Sequence, residues 1–453
     1  MAQDENTRTE TSMESINSLL QLMESHGAIR FYAKKLAPND NSKNQFYLGG
    51  GFSALHTIPH GSLYVDDSNI AKGKTSRTKA DVTFYWVDQN GRYLAPNAQL
   101  ILYPEYPEVR MSGLLKGCRH APSNVIASRD EGRTLFLGIT PNGDVLGYAA
   151  TPDDPLSKEL YALTSNNINV SSVLIELFTP DKKQNTRVLL LEALKEICEK
   201  NWIASQKLGK DGVITPYSAR NGGGYTLEAE LGISPNGNSE PDYLGWEIKQ
   251  YGVNDFRSFK PKSPVTLMTP EPTGGFYCDN GVPDFLRRFG YPDKSGKVDR
   301  INFGGIYTIG RTYHADTGLR LILDGYDQQS GKITDMAGCI GLETQAGEIA
   351  ASWSFNGMLD HWNRKHAQAA YIPSLFRTPP PEYAFGCQVL LCEETDFLLF
   401  LKAIANGTIS YDPAIKMEKA SSPKPVTKRR SQFRIKHDNL INLYYKHETV
   451  DLK

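Results

Sequence analysis

The sequence is poor in cysteine and has no cysteine pair at a metal-binding spacing. Its 453 residues include six cysteines, and no two of them form a Cys-X-X-Cys motif. Zinc ribbons and disulfide frameworks both depend on regular cysteine spacing, so the sequence predicts neither. We expect all six to be reduced thiols inside the folded cores. They are Cys118, Cys198, Cys278, Cys339, Cys387 and Cys392.

The chain also lacks long apolar runs and an excess of charge of either sign. No stretch approaches the roughly 18 apolar residues of a membrane-spanning helix, and the polar, acidic N-terminus has no signal-peptide pattern. The net charge is only -1, so the protein has no global basic field for coating DNA nonspecifically. Any DNA-binding surface must therefore be built from local patches, which favours selective binding.

Length and composition favour two folded domains. At 453 residues the chain exceeds the usual size of one domain, and 40% hydrophobic content with 10% aromatic residues can build two cores. We expect a β-rich domain at 1–165, because short strand-like segments alternate with Gly, Asn and Pro turns after a first helix at 12–25. These segments are 81–87, 99–103, 134–139 and 144–149.

The remainder, 166–453, is expected to form an α/β domain. Amphipathic helices are predicted at 186–208 and 395–406, each with a glycine stop directly after it. Several strands would form one mixed sheet flanked by helices. They are 302–308, 319–323, 387–391 and the motif strand at 246–250.

The most informative segment is Pro-Asp-Tyr-Leu-Gly-Trp-Glu-Ile-Lys at 241–249. In a strand with period two, Glu247 and Lys249 emerge on the same face, and Asp242 at the strand entry can turn onto that face. Two carboxylates can hold a hard cation such as Mg²⁺, which also accepts phosphate oxygens. The lysine would stabilise developing negative charge or orient the attacking water. This pattern indicates phosphodiester hydrolysis.

A Glu-X-Lys triplet alone does not establish a nuclease, because an exposed strand edge is its commoner explanation. A short helix predicted at 223–232 strengthens the catalytic interpretation. Thr226 is its expected N-cap and Gly232 its C-terminal stop. A glutamate on this helix can approach a metal from the side.

Three segments of the second domain resemble the MvaI/BcnI family of restriction endonucleases, which is related to the strand-nicking repair enzyme MutH. The segments are 224–250, 267–272 and 428–435, within a similarity that covers 166–453. The resemblance implies a PD-(D/E)xK nuclease fold and Mg²⁺ as cofactor, with Asp242 and Glu247 as metal ligands and Lys249 as the catalytic lysine. It also implies that Glu228 assists the centre, with Glu230 as the alternative.

The N-terminal region is similar, over a shorter stretch, to the effector-binding domain of the restriction enzyme EcoRII, which is a DNA-binding pseudobarrel. The similarity implies contacts to phosphates and base edges, with a solvated strand and turn as the alternative. The expected contacts are Arg30, Lys34, Lys35, Asn39, Asp40 and Lys43. A second candidate face, for which plain surface charge is the favoured explanation, comprises Arg110, Lys116, Arg119 and His120.

A basic segment without acidic residues lies at 421–436. Such a run is usually a solvated tail, but the interspersed Phe433 and Ile435 can pin it to the fold. The family resemblance implies that the segment reads the target, with guanine contacts in the major groove by Arg430 and Arg434. Its other basic residues are Lys424, Lys428, Arg429 and Lys436.

Two histidines, His361 and His366, are five residues apart, which is a poor spacing for metal ligands on a helix. We predict no zinc site there. Because the family resemblance places DNA-reading loops in this half of the chain, Arg364, Lys365 and His366 are expected to contact bases or phosphates. A structural histidine is the alternative.

These features predict a type II restriction endonuclease in the cytoplasm of a prokaryotic cell. It would cut double-stranded DNA with Mg²⁺ at a CC-N-GG-type site, as the resemblances to MvaI, BcnI and EcoRII imply, with a central A·T pair favoured. The asymmetric centre of such a site permits a monomer, and a separate modification methyltransferase is implied as partner. The alternatives are a MutH-like strand-nicking repair enzyme and a catalytically silent DNA-binding regulator.

Overall fold

The structure, a computed structural model, describes residues 13–38, 45–68, 77–103, 106–165, 173–177, 186–219, 221–234 and 241–453. The chain folds into two compact units, residues 1–183 and 184–453. The sequence places the division at 165/166, whereas the strand Ile175–Leu177 pairs within the first unit. In the described ranges, no helix is both long enough and apolar enough to span a membrane.

The first unit is rich in β-structure. Its helices are α1 (Ile16–Ser25), α2 (Ala54–Thr57), α3 (Ser123–Ala127) and α4 (Pro155–Ser165). Its strands are β1 (Arg30–Lys35), β2 (Phe46–Gly50), β3 (Tyr64–Asp66), β4 (Arg77–Asp81), β5 (Phe84–Asp88), β6 (Gly91–Leu94), β7 (Gln99–Tyr103), β8 (Glu108–Ser112), β9 (Thr134–Ile139), β10 (Val145–Ala150) and β11 (Ile175–Leu177). One sheet has the order β11-β1-β9-β10-β5-β6 and the other the order β2-β8-β7-β4-β3.

The helices α1 and α4 supply apolar side chains to the core of the six-stranded sheet. Leu19 and Met23 lie one turn apart on α1 and pack in one cluster with Leu156 of α4 and Phe136 of β9. The predicted strands 99–103 and 134–139 coincide with β7 and β9. The predicted strand 81–87 is instead divided between β4 and β5.

The second unit combines helices with several sheets. Its helices are α5 (Thr186–Glu199), α6 (Gly222–Glu230), α7 (Phe276–Phe289), α8 (Phe355–His366) and α9 (Phe397–Ala405), with a 3₁₀ helix at His437–Leu443. Its strands are β12 (Trp202–Ala204), β13 (Gln206–Leu208), β14 (Ile214–Pro216), β15 (Glu247–Gly252), β16 (Val265–Met268), β17 (Tyr291–Pro292), β18 (Arg300–Gly304), β19 (Leu319–Asp324), β20 (Tyr326–Asp327), β21 (Lys332–Ile333), β22 (Cys339–Thr344), β23 (Ile349–Ser354), β24 (Gln368–Arg377), β25 (Glu382–Phe385), β26 (Gln388–Thr395), β27 (Ile409–Tyr411), β28 (Ala414–Glu418), β29 (Val426–Lys428), β30 (Phe433–Ile435) and β31 (Tyr444–Asp451).

The main sheet of this unit has the order β12-β25-β24-β26-β31, and β15 pairs in parallel with β24. The remaining pairings within it are antiparallel, so the sheet is mixed as the sequence predicts. Its core includes Leu190 and Leu194 of α5, Trp246 and Ile248 around the start of β15, and Ile372 of β24. The motif strand is therefore fixed by burial on one of its faces.

One predicted helix and two predicted strands of the second unit differ from the structure. The helix predicted at 186–208 ends at Glu199, because Asn201 takes a left-handed backbone conformation (φ 57°) that no α-helix continues through, and β12 and β13 follow. The predicted strands 302–308 and 319–323 correspond to β18 and β19, which lie in separate sheets rather than beside β15.

The prediction that every cysteine is a free thiol is wrong for one pair. Cys198 near the end of α5 and Cys387 before β26 have Cα atoms 5.4 Å apart and form a disulfide. The two residues are 189 positions apart in sequence, so no local spacing indicates the pairing. The other four cysteines are free.

Candidate active site

A tight turn brings Asp242, the first carboxylate of the motif, close to Glu247, the second. Tyr243 and Trp246 form an antiparallel bridge with reciprocal backbone hydrogen bonds of 3.0 and 2.8 Å. The two residues between them, Leu244 and Gly245, both have positive φ (49° and 88°), as a type I′ hairpin turn requires. Extending this register by one residue places Asp242 directly opposite Glu247.

The carboxylate of Asp242 is held in that position by the strand itself. Its Oδ2 accepts a hydrogen bond of 3.0 Å from the backbone N–H of Ile248. Burial, followed by the neighbouring Glu247 carboxylate, raises the pKa of Asp242, and Lys249 opposes this shift. Asp242 therefore lies close enough to Glu247 and Lys249 for their charges to affect its ionisation.

Glu247 and Lys249 lie on one face of β15, in agreement with the period-two pattern. Nζ of Lys249 is 2.5 Å from Oε1 of Glu247. The side chain of Glu247 is only 1% exposed, whereas that of Lys249 is 24% exposed. Burial alone would lower the pKa of Lys249, but Glu247 and then Asp242 outweigh this effect and raise it, so the ammonium stays charged.

The two glutamates of helix α6 have different surroundings. Glu230 accepts a hydrogen bond from Lys200 at 2.6 Å and another from Gln206 at 2.5 Å, so it is engaged away from the motif. Glu228 lies close enough to the motif for the charges of Asp242 and Lys249 to affect its ionisation. Burial, reinforced by Asp242, raises the pKa of Glu228 to about 7.

The start of α6 differs from its predicted form. The helix begins at Gly222, so Thr226 lies inside it and is not the N-cap; its hydroxyl donates to the Gly222 carbonyl at 2.7 Å. The C-terminal prediction agrees with the structure, since Gly232 follows the helix with φ +72°. The glycines at the start of the helix allow close packing against β15. A Cβ on Gly223 would lie 2.8 Å from the Gln250 side chain on the catalytic strand.

A second lysine reaches this group of charges from α8. Nζ of Lys365 lies 3.7 Å from Oε1 of Glu247, and the Lys365 side chain is 21% exposed. The sequence includes Lys365 among the DNA contacts but gives no sign that it meets the motif strand, because it is separated from Glu247 by more than a hundred residues. The turn at Leu244 and Gly245 carried only half of a hairpin signal, because glycine suits its second position but leucine is not among the residues that favour its first.

The donor set fits a hard divalent cation. Oε2 of Glu247 is buried and has no hydrogen-bond partner in the described part of the protein. A buried carboxylate oxygen without a partner is costly, and a cation ligand would satisfy it. Residues in the described ranges form no cluster of three or more His, Cys, Asp or Glu side chains placed to bind a metal. Mg²⁺ nevertheless commonly takes one or two protein carboxylates and completes its coordination with water and phosphate oxygens.

The histidine next to Lys365 is a structural residue. His366 is fully buried, stacks on Trp362, and its ring nitrogens lie 3.2 Å from the Tyr444 hydroxyl and 3.2 Å from the Leu267 carbonyl oxygen. A side chain with this environment cannot reach DNA, so the alternative interpretation of His366 holds in the structure. The side chain of Arg364 is outside the described part of the structure.

The basic segment contains both exposed and engaged residues. Lys428, Arg429 and Arg430 are exposed to solvent. Arg434 on β30 donates from Nη1 to Asp412 at 2.6 Å and from Nη2 to the Pro264 carbonyl at 2.6 Å. Its side chain is 18% exposed, so Arg434 braces two loops, while Arg430 is free to approach a ligand.

The predicted contacts in the first unit have different surroundings. Arg30 is exposed, Lys34 is 6% exposed and thus buried, and Lys35 donates to Thr164 at 2.6 Å and lies over the Tyr161 ring. Asn39, Asp40 and Lys43 fall outside the described residues. On the second candidate face, Arg110 pairs with Glu108, His120 stacks on Tyr93, and Lys116 and Arg119 are exposed.

Comparison with known proteins identifies the family. The sequence profile of the MvaI/BcnI restriction endonuclease family matches residues 191–444, which is more than half of the 453-residue chain. No curated protein shows a significant match to the chain.

Solved structures of the restriction endonuclease MvaI have 98% of their length aligned with this chain. The complex with its cognate DNA substrate is 19% identical, with a TM-score of 0.45 over 58% of this chain. The enzyme in the absence of DNA is 18% identical, with a TM-score of 0.33 over 59% of this chain. The assignment depends on the family profile and not on these structures. By that profile, this chain belongs to the MvaI/BcnI restriction endonuclease family and is a sequence-specific type II restriction endonuclease.

Proposed function

We propose that the protein hydrolyses double-stranded DNA with Mg²⁺ through a PD-(D/E)xK centre composed of Asp242, Glu247 and Lys249. One observation carries this proposal: the hairpin turn sets Asp242 opposite Glu247, Lys249 lies beside them, and Oε2 of Glu247 is buried without a partner among the described residues. This arrangement has two oxygen donors for a cation and one fixed ammonium for a phosphate.

Each residue has a role that follows from its position. Asp242 and Glu247 would hold Mg²⁺, which when bound neutralises phosphate charge and activates water. Lys249 stays protonated and partly exposed, so its ammonium can face the phosphate and stabilise the negative charge that develops there. Burial and the neighbouring Asp242 raise the pKa of Glu228 to about 7, which suits a group that supports the centre by taking up or releasing a proton near neutral pH.

The DNA contacts that we propose are the basic residues that the fold leaves at the surface. Lys428 and Arg429 would hold the backbone, and Arg430, which is exposed, is the better candidate for a guanine contact in the major groove. Arg434 would support this segment through its bonds to Asp412 and Pro264.

We also propose that the first unit is a pseudobarrel that binds DNA, as its resemblance to the EcoRII effector-binding domain implies. Its two sheets and short helices are compatible with such a fold. Of the residues that the structure describes, Arg30 and Lys35 would contribute. Asn39, which lies outside the described residues, is also a proposed contact. Lys34 is buried and would support the strand from within.

The proposed target is a CC-N-GG-type sequence with a central A·T pair, which derives from the resemblance to MvaI, BcnI and EcoRII. One Asp242, Glu247, Lys249 set per chain acts on one strand at a time. A monomer would therefore nick one strand before it cuts the other. A separate methyltransferase would protect the host DNA.

Plasmid cleavage tests this proposal. The protein incubated with supercoiled plasmid and Mg²⁺ should give a nicked intermediate that rises and falls before linear DNA accumulates, and excess EDTA should stop the reaction. Sequencing of the ends should give a CC-N-GG core. Ends without that core would refute the target while leaving the nuclease centre intact. Cleavage that persists in EDTA would refute the metal-dependent centre.

A further inference from the structure

A buried chain of hydrogen bonds lies beside the motif strand and anchors the end of α8 to the main sheet. The hydroxyls of Tyr371 on β24 and Tyr444 on β31 are 3.0 Å apart. The Tyr444 hydroxyl is also 3.2 Å from Nδ1 of His366, the last residue of α8. Nε2 of His366 lies 3.2 Å from the carbonyl oxygen of Leu267. The three side chains are at most 5% exposed, so the chain is shielded from solvent.

The carbonyl group at one end of this chain fixes the direction of every hydrogen bond in it. A carbonyl oxygen only accepts hydrogen bonds, so Nε2 of His366 carries the hydrogen that Leu267 receives. Burial lowers the pKa of His366 well below its usual value, so the ring is neutral and its Nδ1 is an acceptor. The Tyr444 hydroxyl therefore donates to His366, and the Tyr371 hydroxyl donates to Tyr444.

Tyr371 projects from the same face of the sheet as Glu247 and Lys249. The strands β15 and β24 pair in parallel, with Glu247 opposite Ala369 and Lys249 opposite Tyr371. Side chains at paired positions of two strands lie on one face, so Tyr371 stands beside Lys249 and one turn of the pleat from Glu247. Burial raises the pKa of Tyr371, and the Glu247 carboxylate adds to this shift, as it does for Tyr444.

Glu247 nevertheless has a carboxylate oxygen without a hydrogen bond. Its Oε2 is buried and receives no donor from the described part of the protein, although two tyrosine hydroxyls are near. A hydroxyl has one proton to donate. Because Tyr371 donates its proton to Tyr444 and Tyr444 donates to His366, neither tyrosine has a donor left for the carboxylate.

We infer that His366, Tyr444 and Tyr371 are positioning residues, which hold the Tyr371 proton away from Glu247 and so keep the Glu247 carboxylate free for the metal. The inference rests on the proposed nuclease centre, in which this carboxylate is a ligand of Mg²⁺. A hydrogen bond from a neutral hydroxyl would occupy a lone pair of the carboxylate and share its negative charge, so a cation would bind less tightly. The chain thus prevents a buried tyrosine from competing with the metal.

Tyr444→Phe tests the inference, because it removes one hydroxyl and keeps the ring. Tyr371 then loses its acceptor, and its proton becomes available to Glu247. The dissociation constant of the protein for Mn²⁺, measured without DNA by electron paramagnetic resonance of the free ion, should rise about tenfold, as expected for one hydrogen bond to a charged acceptor. Cleavage of plasmid DNA should slow by a similar factor at limiting Mg²⁺ and return almost to the parent rate at saturating Mg²⁺.

Removing the competing hydroxyl as well should reverse the effect. Phenylalanine at position 371 has no proton to give to Glu247, so the double variant Tyr371→Phe/Tyr444→Phe should bind Mn²⁺ about as tightly as the parent. A purely structural role predicts the opposite, since the double variant lacks both hydroxyls of the chain. Tyr307→Phe removes another buried hydroxyl, which is hydrogen-bonded to Thr317 at 2.8 Å, and as the matched control it should leave Mn²⁺ binding unchanged.

Two outcomes would overturn the inference. They are a Tyr444→Phe affinity for Mn²⁺ close to that of the parent, and a double variant that binds as weakly as Tyr444→Phe alone. If Tyr444→Phe does not fold, His366→Phe removes the next acceptor of the chain, keeps the stacking on Trp362, and gives the same comparison when combined with Tyr371→Phe.

Glu247→Gln separates this inference from the proposed nuclease centre. If Glu247→Gln binds Mn²⁺ as the parent does, the proposed metal site itself fails. Weak binding by Glu247→Gln beside normal binding by Tyr444→Phe would instead refute the role of the hydrogen-bond chain alone.

Discussion

The proposed catalytic centre and the basic segment use the same kinds of charged residue in opposite ways. At the centre, Lys249 is within 2.5 Å of Glu247, whose side chain is 1% exposed. In the basic segment, Lys428 and Arg430 project into solvent. The fold itself supplies the partners for the first set of charges, whereas the proposed function assigns the second set to DNA phosphates. Removing a charge should therefore affect chemistry in one region and affinity in the other.

The basic segment shows the same contrast within itself. Arg434 is four residues from Arg430, yet Asp412 and the Pro264 carbonyl already hold its guanidinium. From the sequence alone, the two arginines are equally good candidates for DNA contacts. Arg434 is held within the fold, whereas Arg430 is exposed and available to bind a ligand.

The largest expected effect separates the two regions directly. Asp242→Ala should slow single-turnover cleavage by about 1,000-fold, equivalent to roughly 4 kcal/mol of barrier, because a carboxylate of the centre is lost. Its DNA binding in Ca²⁺ should stay close to that of the parent. Arg430→Ala should do the reverse, with weaker binding and a nearly normal rate on saturated DNA. An Asp242→Ala rate within tenfold of the parent would show that the centre is misassigned.

Neutralising the exposed part of the basic segment should have the next largest effect. Replacement of Lys428, Arg429 and Arg430 by glutamine should weaken binding and reduce the slope of log affinity against log salt by about 0.9 for each phosphate that the protein no longer neutralises. Fluorescence anisotropy across a salt series measures the slope. Lys195→Gln, at an exposed position on α5, is the control and should leave it unchanged. An unaltered slope in the triple variant would make the segment a solvated tail.

The acidity of Glu228 should make stability depend on pH. Because its pKa is raised from 4.5 to about 7, the folded protein keeps a proton that the unfolded chain loses as pH rises through that interval. The free energy of unfolding of the metal-free protein should therefore fall between pH 5 and about pH 7 through this group. Glu228→Gln should lack this contribution, while Glu230→Gln should retain it. Urea unfolding in EDTA at several pH values compares the variants, and parallel curves for Glu228→Gln and the parent would contradict the assignment.

The smallest effect concerns the turn that joins the two carboxylates. Leu244 has φ 49°, a conformation that costs a residue with a branched side chain about 1 kcal/mol and that asparagine adopts more readily. Leu244 is 44% exposed, so little burial is lost on substitution. Leu244→Asn should raise the free energy of unfolding by up to about 1 kcal/mol. Leu244→Ala keeps the Cβ penalty and should not stabilise the protein; equal stabilisation by both variants would exclude relief of the turn as the cause.

Local periodicity predicts the catalytic strand well, because burial of Trp246 and Ile248 on one side forces Glu247 and Lys249 to the other. It does not reveal β24, the strand beside it. That segment contains Pro373, and proline has no backbone N–H for a sheet, so the sequence argues against a central strand there.

Contacts between residues that are far apart in the chain could not be predicted from the sequence either. Lys365 and the Cys198–Cys387 disulfide depend on tertiary contacts across long stretches of chain. Conversely, the helix predicted to reach residue 208 shows the limit of amphipathic patterns. Its apolar spacing continues past Asn201, where the backbone turns away.

The pairing of β15 with β24 bears on how the protein is made. Asp242 and Glu247 are joined by a four-residue turn, so a growing chain can bring them together at little entropic cost as soon as they are synthesised. The strand that carries them, however, pairs with residues 368–377, and the anchor of α8 uses Tyr444, near the end of the 453 residues. A ribosome-bound chain that has passed residue 249 therefore has its two carboxylates but neither a fixed strand nor Lys365. The motif strand and the position of Lys365 are therefore completed only after residues 368–377 and Tyr444 have been synthesised.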